Sequence, residues 1–219
     1  MKNNRVAFQV LENDQAIPPG HTLLEFHMIF DVKMYFTRKA RFVTNGAKTP
    51  DPKESTYAVF LSRESVRITF TYAALMGFDV IAGDIQNAYL QAPTNEKYCT
   101  TCGPEFGTEE AGKRAIIVRD LYGMKSSGRD FRNHLRDCME HLGYTSCHAE
   151  PDLCMRKDVQ SNGQSYYEYL LLYVDDCLAV SEHPTELLQE LDKYFPMKPV
   201  SVGPPKLYLG GKKIQNPVA

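Results

Sequence analysis

The residues Tyr173-Val174-Asp175-Asp176 place two adjacent carboxylates inside an otherwise apolar stretch of the chain. Apolar residues at 169–174 precede the acidic pair, and residues 177–180 continue the apolar run after it. Short apolar runs bounded by polar residues are typical of buried strands, so the stretch predicts a hairpin with two negative charges at its tip. The charges repel each other, and the flanking strands add a desolvation cost on the order of several kcal/mol per ion.

This acidic tip has two interpretations. Asp is a common turn residue, so the pair could form a solvated turn. Alternatively, a divalent cation would remove the repulsion, and clustered carboxylates are ligands that Mg²⁺ prefers. Asp84 favours the second interpretation, because it is also a charge within a short β-prone segment, residues 80–85. One Asp on a strand and two at a hairpin tip is the carboxylate set of a two-metal phosphoryl-transfer site, whose cations lie about 3.5–4 Å apart.

Six segments occur in an order that is typical of one family. They are Lys39-Ala40-Arg41-Phe42-Val43 with Gly46, Asp84-Ile85-Gln86-Asn87-Ala88-Tyr89-Leu90, Gly103-Pro104-Glu105-Phe106-Gly107, Leu121-Tyr122-Gly123-Met124-Lys125, Tyr173-Val174-Asp175-Asp176 and Tyr208-Leu209-Gly210. Through them nearly all of the chain resembles the reverse transcriptase domain of copia-type long-terminal-repeat retrotransposons. The resemblance implies a nucleotidyltransferase that acts as an RNA-directed DNA polymerase.

The resemblance also implies which residues form the metal site. Asp84, Asp175 and Asp176 match the catalytic carboxylates, which would hold two Mg²⁺ ions, with Mn²⁺ as a substitute. Asp84 and Asp175 would be the principal ligands, and the Ile85 carbonyl would help to coordinate. Tyr89 matches the residue under the sugar of the incoming deoxynucleotide, where a ring leaves no room for a 2′-hydroxyl. Without the motif, ordinary strand packing would be the expectation for this tyrosine.

Basic and polar residues complete the expected nucleotide site. Lys39 and Arg41 match positions that hold the triphosphate, and cations at i and i+2 of an extended segment project from the same face. Arg offers a bidentate fork and Lys a point charge; the alternative is that both are simply solvated. Lys125, Ser126 and Tyr173 are expected in the template, primer or nucleotide pocket.

The chain departs from the family pattern at several positions. Ser126-Ser127-Gly128 stands where many members carry Gln-Ala-Pro, which puts a contact with the nucleotide sugar in doubt; a Ser here is a good N-cap for the following helix. Cys154 replaces a usual aromatic, and Tyr35 replaces a commoner Asp. These departures leave one alternative open, a catalytically inactive remnant that still binds nucleic acid. A nucleotide cyclase with a similar palm is a second rival.

The composition is that of a globular chain, with 43% apolar and 24% charged residues. Neither a membrane-length apolar run nor an apolar signal core is present, which predicts a cytoplasmic protein without membrane contact, in a virus-like particle if the element is active, or a nuclear one. Cys99-x-x-Cys102 and Cys138-x-x-His141 have zinc-like internal spacing. The two pairs are too far apart for a usual structural site, so free thiols are the favoured interpretation.

The net charge of −2 does not indicate nucleic-acid binding, but the distribution of charge does. Residues 33–53 carry six Lys and Arg against one Asp, and residues 113–136 carry seven against two acidic residues. Such stretches could follow a phosphate backbone, although a solvated surface is the alternative. The expected partners are an RNA template, a DNA primer or template, dNTPs and the remaining Pol regions (RNase H, integrase and protease).

The predicted fold is α+β, with reverse-transcriptase fingers at about 1–79 and 91–125 and a palm at about 80–90 and 126–215. Helices are expected from Ser62 to Gly77, around residues 131–142 and over 184–195, and a last strand at 207–214 should close the sheet. The palm should be a ferredoxin-like antiparallel sheet packed on helices. The thumb is expected to be largely absent, as in a fragment of a Pol polyprotein.

Overall fold

The computed structural model describes residues 7–12, 15–34, 36–49, 51, 61–205, 207–208 and 211–212. Tyr35, one of the departures noted above, lies outside these residues. The described chain mixes α-helices with several β-sheets, which confirms the mixed fold class at this level. The assignment to fingers and palm, and the absence of a thumb, stay predictions.

The strands of the described chain are short to medium in length. They are β1 (Phe8–Val10), β2 (Thr22–Leu23), β3 (Phe26–Val32), β4 (Arg38–Thr44), β5 (Asp79–Asp84), β6 (Pro93–Thr101), β7 (Arg114–Arg119), β8 (Thr145–Ser146), β9 (Leu153–Val159), β10 (Ser165–Tyr173), β11 (Asp176–Ser181), β12 (Leu207–Tyr208) and β13 (Gly211–Lys212). The α-helices are α1 (Arg63–Met76), α2 (Ser127–His141) and α3 (Pro184–Asp192). None of the described helices is long and apolar enough to cross a membrane.

Unit 1 is one of two compact units and comprises residues 1–58 and 89–134. Its larger sheet has the strand order β1-β7-β6-β2, in which only the β2–β6 pair is parallel. The strands β3 and β4 form a separate antiparallel hairpin. Its apolar core consists of the buried side chains of Leu24, Tyr98, Ile117, Leu121 and Met124. Four phenylalanines with ring centroids 4.7–6.0 Å apart extend this packing: Phe8, Phe26, Phe42 and Phe106.

Two loops of unit 1 approach each other so closely that both need glycine. The Thr44 N–H donates to the Tyr122 carbonyl at 2.9 Å. Gly123 has φ +94°, and a Cβ there would lie 2.2 Å from the Thr44 carbonyl oxygen. A Cβ at Gly46 would lie 2.1 Å from the Gly123 carbonyl oxygen. Only a residue without a side chain fits at these positions.

Unit 2 comprises residues 59–88 and 135–219 and is built on an antiparallel sheet of order β5-β11-β10-β9-β8. The chain runs from β5 through α2, β8 and β9 to the β10–β11 hairpin and α3. The ferredoxin-like palm stays a prediction. The apolar core of unit 2 combines residues of α1, β5, β10 and β11 with Leu61 and Tyr208. The core residues are Leu61, Val66, Ala73, Val80, Leu171, Leu178, Val180 and Tyr208.

Helix α1 begins and ends where the sequence predicts. The Ser62 hydroxyl accepts a hydrogen bond from the Ser65 N–H at 3.1 Å, which caps the first turn. Gly77 ends the helix with φ +70°, the left-handed conformation of a C-terminal cap. The buried face includes Val66, Thr69 and Ala73, whereas Ala74 is exposed.

Residues 197–203 run along the outer edge of β5. Ile85 pairs with Met197, and Ala82 pairs with Gly203, both in antiparallel bridges. The Lys198 N–H donates to the Asp84 carbonyl at 2.8 Å, and the Ser201 hydroxyl accepts from the Asp84 N–H at 2.9 Å. This edge segment therefore satisfies backbone groups of the strand that carries Asp84.

Two local predictions are wrong. The last strand does not close the main sheet, because residues 207–208 pair with 211–212 in a two-stranded sheet of their own. Helix α3 ends at Asp192 rather than at Phe195, whose side chain is buried beyond the helix.

Candidate active site

The predicted acidic hairpin is confirmed as the turn between β10 and β11. Tyr173 and Asp176 are paired across the hairpin, so Val174 and Asp175 form the two-residue connection. Val174 has φ +55°, a conformation that β-branched residues rarely adopt. In two-residue hairpin turns a positive φ at the first position is normally taken by glycine. The backbone that presents Asp175 is therefore strained.

Strand β5 brings the third carboxylate to this turn. It pairs with β11 in antiparallel register, and Asp84 lies directly opposite Asp176. The Ile85 N–H donates to the Asp175 carbonyl at 2.7 Å, which ties the end of β5 to the turn. Ile85 itself is fully buried. Asp84, which is distant in sequence, thus lies at the same end of the sheet as the adjacent pair Asp175 and Asp176.

The electrostatics of this cluster reflect mutual repulsion and one nearby cation. Partial burial, with the Asp175 and Asp84 charges, raises the pKa of Asp176 to about 6, and the Lys198 charge acts in the opposite direction. The Lys198 ammonium contacts the Asp84 carboxylate and lies 4.0 Å from Asp175 Oδ2. The carboxylates remain accessible, because the Asp84 side chain is 27% exposed and that of Asp175 is 42% exposed.

The donor chemistry of the cluster fits a hard divalent cation, since Mg²⁺ takes oxygen ligands and binds through a few carboxylates together with substrate phosphates. In their present positions, no three His, Cys, Asp or Glu side chains within the described part of the chain are arranged to hold a metal ion. The Lys198 ammonium supplies the positive charge beside Asp84 and Asp175 instead. Binding of a metal ion at this cluster therefore requires these side chains to rearrange, and it stays a proposal.

Unit 1 carries the predicted triphosphate residues. Lys39 and Arg41 both lie on β4, where they are half-buried and pair with Asp31 and Ile29 of β3, respectively. Alternate residues of a strand lie on the same face, so the two cations share one side of the hairpin. Their role toward a triphosphate stays a prediction.

Tyr89 lies in a 3₁₀ turn over residues 88–91 rather than in a strand. Its ring centroid is 4.9 Å from that of Tyr122 and 6.2 Å from that of Phe131. Tilted and edge-on contacts of this kind fix the orientation of an aromatic ring. The half-buried tyrosine is therefore held in place within unit 1, and its role toward a nucleotide stays a prediction.

The predicted pocket residues differ in accessibility. The Lys125 ammonium donates to the Thr49 carbonyl at 2.9 Å and to the exposed Asp51 carboxylate at 2.8 Å. Ser126 is 1% exposed, and its hydroxyl has no hydrogen-bond partner among the described residues. Tyr173 is half-buried at the end of β10.

The predicted N-cap of α2 is not made by the Ser126 hydroxyl, although its carbonyl accepts from the Asp130 N–H at 2.9 Å. The Ser127 hydroxyl donates to the Leu121 carbonyl at 2.7 Å instead, because the chain before the helix turns back over it. The Ser-Ser pair therefore stabilises the loop that precedes α2.

A family model described as "Reverse transcriptase (RNA-dependent DNA polymerase)" matches residues 10–218. The chain belongs to the reverse transcriptase family. Among curated proteins, this reverse transcriptase chain is 27% identical over 184 residues to a protein named Retrovirus-related Pol polyprotein from transposon RE1 of Arabidopsis thaliana. It is 25% identical over 183 residues to the RE2 protein of the same plant. Each match covers 80% of this chain and only 12% of the relative.

Two residues that contact the acidic cluster of this reverse transcriptase chain could not be identified from the sequence. Lys198 and Ser201 contact Asp84 from the edge segment, with the Ser201 N–H closing the turn on the Lys198 carbonyl at 2.9 Å. The available signal was a Lys-Pro dipeptide followed by Ser and Gly, which predicts a turn. Nothing in that pattern indicates which strand edge the turn covers.

The cysteines of the reverse transcriptase chain are all free thiols. Cys99 and Cys102 are buried in unit 1, and burial raises the pKa of both thiols. A thiol with a raised pKa remains protonated at neutral pH, which disfavours both metal binding and oxidation.

Proposed function

We propose that this chain is the RNA-directed DNA polymerase domain of a copia-type retrotransposon. The observation that supports this most strongly is the register between β5 and β11, which sets Asp84 opposite Asp176 and next to the strained turn at Asp175. Family membership supports polymerase chemistry in general. The six sequence segments support the copia type.

The proposed reaction joins the primer 3′-oxygen to the α-phosphorus of a dNTP and releases pyrophosphate. Asp84 and Asp175 would be the principal ligands of two Mg²⁺ ions, with Asp176 as the third carboxylate. When bound, the ions would supply Lewis-acid stabilisation of the attacking and leaving oxygens. Oxygen ligands on adjacent strands, held by a backbone hydrogen bond from Ile85, support this assignment.

The incoming nucleotide is proposed to contact Lys39, Arg41 and Tyr89, which all belong to unit 1. Lys39 and Arg41 would neutralise the triphosphate, in keeping with their shared face on β4. Tyr89 would exclude a 2′-hydroxyl, in keeping with a ring that Tyr122 and Phe131 hold in place. A fixed ring discriminates by steric exclusion, because a mobile one would move aside.

The template and primer are proposed to be an RNA strand and a DNA strand held through their backbones and minor groove, since the deep A-form major groove excludes side chains. Lys125, Ser126 and Tyr173 would border this pocket. We further propose that the chain works as part of a longer Pol polyprotein with RNase H, integrase and protease regions. The Pol polyproteins it resembles are much longer than the matched region, which supports that context.

Primer extension tests the proposal directly. An RNA template with an annealed DNA primer, dNTPs and Mg²⁺ is incubated with the wild-type chain, with Asp175→Asn, and with Asp137→Asn as a control at an exposed carboxylate of α2. Since loss even of a ligand's hydrogen-bond partner costs about 10- to 100-fold, Asp175→Asn should lower the rate by about a hundredfold or more. Asp137→Asn should extend like the wild type.

Two results would contradict the polymerase. Template binding without extension by the wild-type chain would favour the inactive remnant. Nucleotide turnover that continues when the primer is omitted would favour a cyclase.

A further inference from the structure

Lys198 is the cation that lies within the acidic cluster. Its ammonium contacts the Asp84 carboxylate and lies 4.0 Å from the Asp175 carboxylate, so one positive charge stands between two negative ones. These two carboxylates come from different strands, β5 and the β10–β11 turn. A cation shared by both carboxylates offsets part of their repulsion.

The backbone holds Lys198 at this place independently of its side chain. The Lys198 N–H donates to the Asp84 carbonyl at 2.8 Å, and the Ser201 hydroxyl both accepts from the Asp84 N–H and donates to the Lys198 carbonyl at 2.8 Å. The turn from Lys198 to Ser201 is thus hydrogen-bonded on both sides to the residue whose carboxylate the ammonium contacts. The ammonium can leave the cluster without loss of these backbone bonds.

The side-chain contact is accessible enough to be exchanged. The Lys198 side chain is 43% exposed, and those of Asp84 and Asp175 are 27% and 42% exposed. Ion pairs at this exposure contribute little to stability, because water competes for both partners. A divalent cation at the same carboxylates carries twice the charge of the ammonium. The ammonium and the metal ion cannot occupy the same position, so they exclude each other.

We propose that the Lys198 ammonium takes the place of a metal ion between Asp84 and Asp175 in the metal-free chain. The side chain must move away from the two carboxylates before a metal ion binds. The inference rests on the proposed function, since it assumes that the cluster binds a divalent cation. It assigns to Lys198 two opposite effects. The lysine stabilises the metal-free fold, and it competes with the metal for the carboxylates.

Titration with Mn²⁺ alone, without nucleotide, tests the competition. Free Mn²⁺ is followed by electron paramagnetic resonance for the wild-type chain, Lys198→Met and Lys198→Arg. Lys157→Met is the matched control, because it removes an equal charge from β9, where the ammonium lies over the Tyr167 ring. Asp84→Asn defines binding at the cluster.

The expected order of Mn²⁺ affinity is Met above Lys above Arg at position 198. Lys198→Met should bind about two- to fivefold more tightly than the wild type, the range that corresponds to an ion pair of this exposure. Lys198→Arg should bind more weakly, because a guanidinium fork holds carboxylates with two hydrogen bonds. Lys157→Met should match the wild type, and Asp84→Asn should lose the binding.

Thermal unfolding gives a second readout that requires no measurement of free Mn²⁺, because bound metal stabilises the folded chain by mass action. Lys198→Met should unfold at a lower temperature than the wild type in EDTA, and the difference should disappear at saturating Mn²⁺, because the lysine has then left the cluster. Equal Mn²⁺ affinity at Lys, Met and Arg, or weaker binding by Lys198→Met, would overturn the inference and leave the proposed polymerase intact. Absence of Mn²⁺ binding from every variant, or binding that persists in Asp84→Asn, would overturn the proposed metal site as well.

Discussion

Val174 adopts a left-handed backbone conformation in the turn that carries Asp175. Strain of this kind costs about 1–3 kcal/mol and is common where a side chain must be aimed at a reaction centre. The neighbouring strands, which are hydrogen-bonded from residue 169 to residue 180, hold the turn in this conformation. The strain is a property of Val174 alone, because the hairpin itself would form around any two-residue turn.

Replacement of Val174 by Gly should therefore stabilise the chain. Gly adopts positive φ without strain, and the gain should exceed its larger loss of entropy on folding, which leaves a net increase of about 1 kcal/mol in the free energy of unfolding. Urea denaturation measures the change. Val174→Ala is the matched control, since it keeps the Cβ that causes the strain and should gain clearly less. A less stable Val174→Gly chain would show that the turn is not strained at this residue.

Asp120 should make the stability of the chain depend on pH. Asp120 is completely buried, and neither of its carboxylate oxygens has a hydrogen-bond partner of good geometry among the described residues. Burial, together with the nearby Asp130 charge, raises the pKa of Asp120 to about 7, although Thr94 and Arg129 act against the shift. A carboxyl whose folded pKa exceeds its unfolded value stabilises the fold below about pH 4, and that stabilisation is lost as the pH rises through about 7. The loss should amount to roughly 4 kcal/mol.

The variant Asp120→Asn should remove this dependence, since an amide does not ionise. At pH 8 it should be more stable than the wild type, and the two should converge near pH 4. Denaturation at a series of pH values measures the effect, with Glu109→Gln, at an exposed carboxylate, as the control. Parallel pH curves for wild type and Asp120→Asn would rule out Asp120 as the source.

Tyr89 should act on sugar selection if the proposed polymerase is correct. Loss of the ring in Tyr89→Ala opens space for a 2′-hydroxyl, so incorporation of ribonucleotides should rise relative to deoxynucleotides. Single-nucleotide extension with matched pairs of nucleotides measures the ratio. Tyr89→Phe keeps the ring and should keep the wild-type ratio. An unchanged ratio in Tyr89→Ala would leave the ring only a packing role against Tyr122 and Phe131.

At the scale of elements, the contact between the loops at Gly46 and Gly123 limits sequence change most strongly. Gly123→Ala would combine φ +94° with a Cβ only 2.2 Å from the Thr44 carbonyl oxygen. It should lower the free energy of unfolding by about 3 kcal/mol or more, because the backbone must move. Gly112→Ala is the matched control, with φ +88° and no described atom within 4 Å of its Cβ, and should lose only about 1–2 kcal/mol. Equal losses in urea denaturation would show that the contact is not rigid.

Elements that depend on local signals could be predicted from the sequence. Ser62 and Gly77 bound α1 because a hydroxyl cap and a left-handed glycine act within one turn. The β10–β11 hairpin follows from two apolar runs around a polar tip. The register that places Asp84 opposite Asp176 could not be derived from pattern alone, and only the family resemblance linked them.

The mispredicted elements depend on distant partners. Residues 207–208 form a strand, but they pair with residues 211–212 rather than with the main sheet. The Ser126 hydroxyl has the chemistry of a cap but is buried without a hydrogen-bond partner in the described part of the chain. Lys198 reaches the acidic cluster only because residues 197–203 follow the edge of β5, and side-chain chemistry does not encode that path.

At the scale of the whole molecule, charge is divided unequally between the units. Unit 1 carries 15 Lys and Arg against 12 Asp and Glu, whereas unit 2 carries 10 against 15. Both basic stretches of the sequence fall mainly in unit 1. The modest net charge of the chain therefore conceals a basic unit, which is suited to a polyanion, and an acidic unit, which contains the carboxylate cluster.

Nucleic-acid binding by the chain should accordingly depend on salt. If six or more phosphates are contacted, affinity for a template–primer duplex should fall by about 10³ or more between about 50 and 200 mM salt. Fluorescence anisotropy measures the slope. Joint replacement of Lys33 and Arg38, two exposed cations of the first basic stretch, by Gln should lower the slope by about two, whereas Lys157→Gln should leave it unchanged. A flat response to salt would mean that the basic stretches are only solvated surface.

Residues 197–203, which cover the outer edge of β5, also protect the chain from self-association. Open strand edges recruit strands of other molecules. Val200, in the middle of the cover, is 99% exposed and is thus open to proteases. A nick there would loosen the cover and free the amides of Ala82 and Asp84, so the cleaved protein is expected to aggregate through β5 while the intact chain stays dispersed.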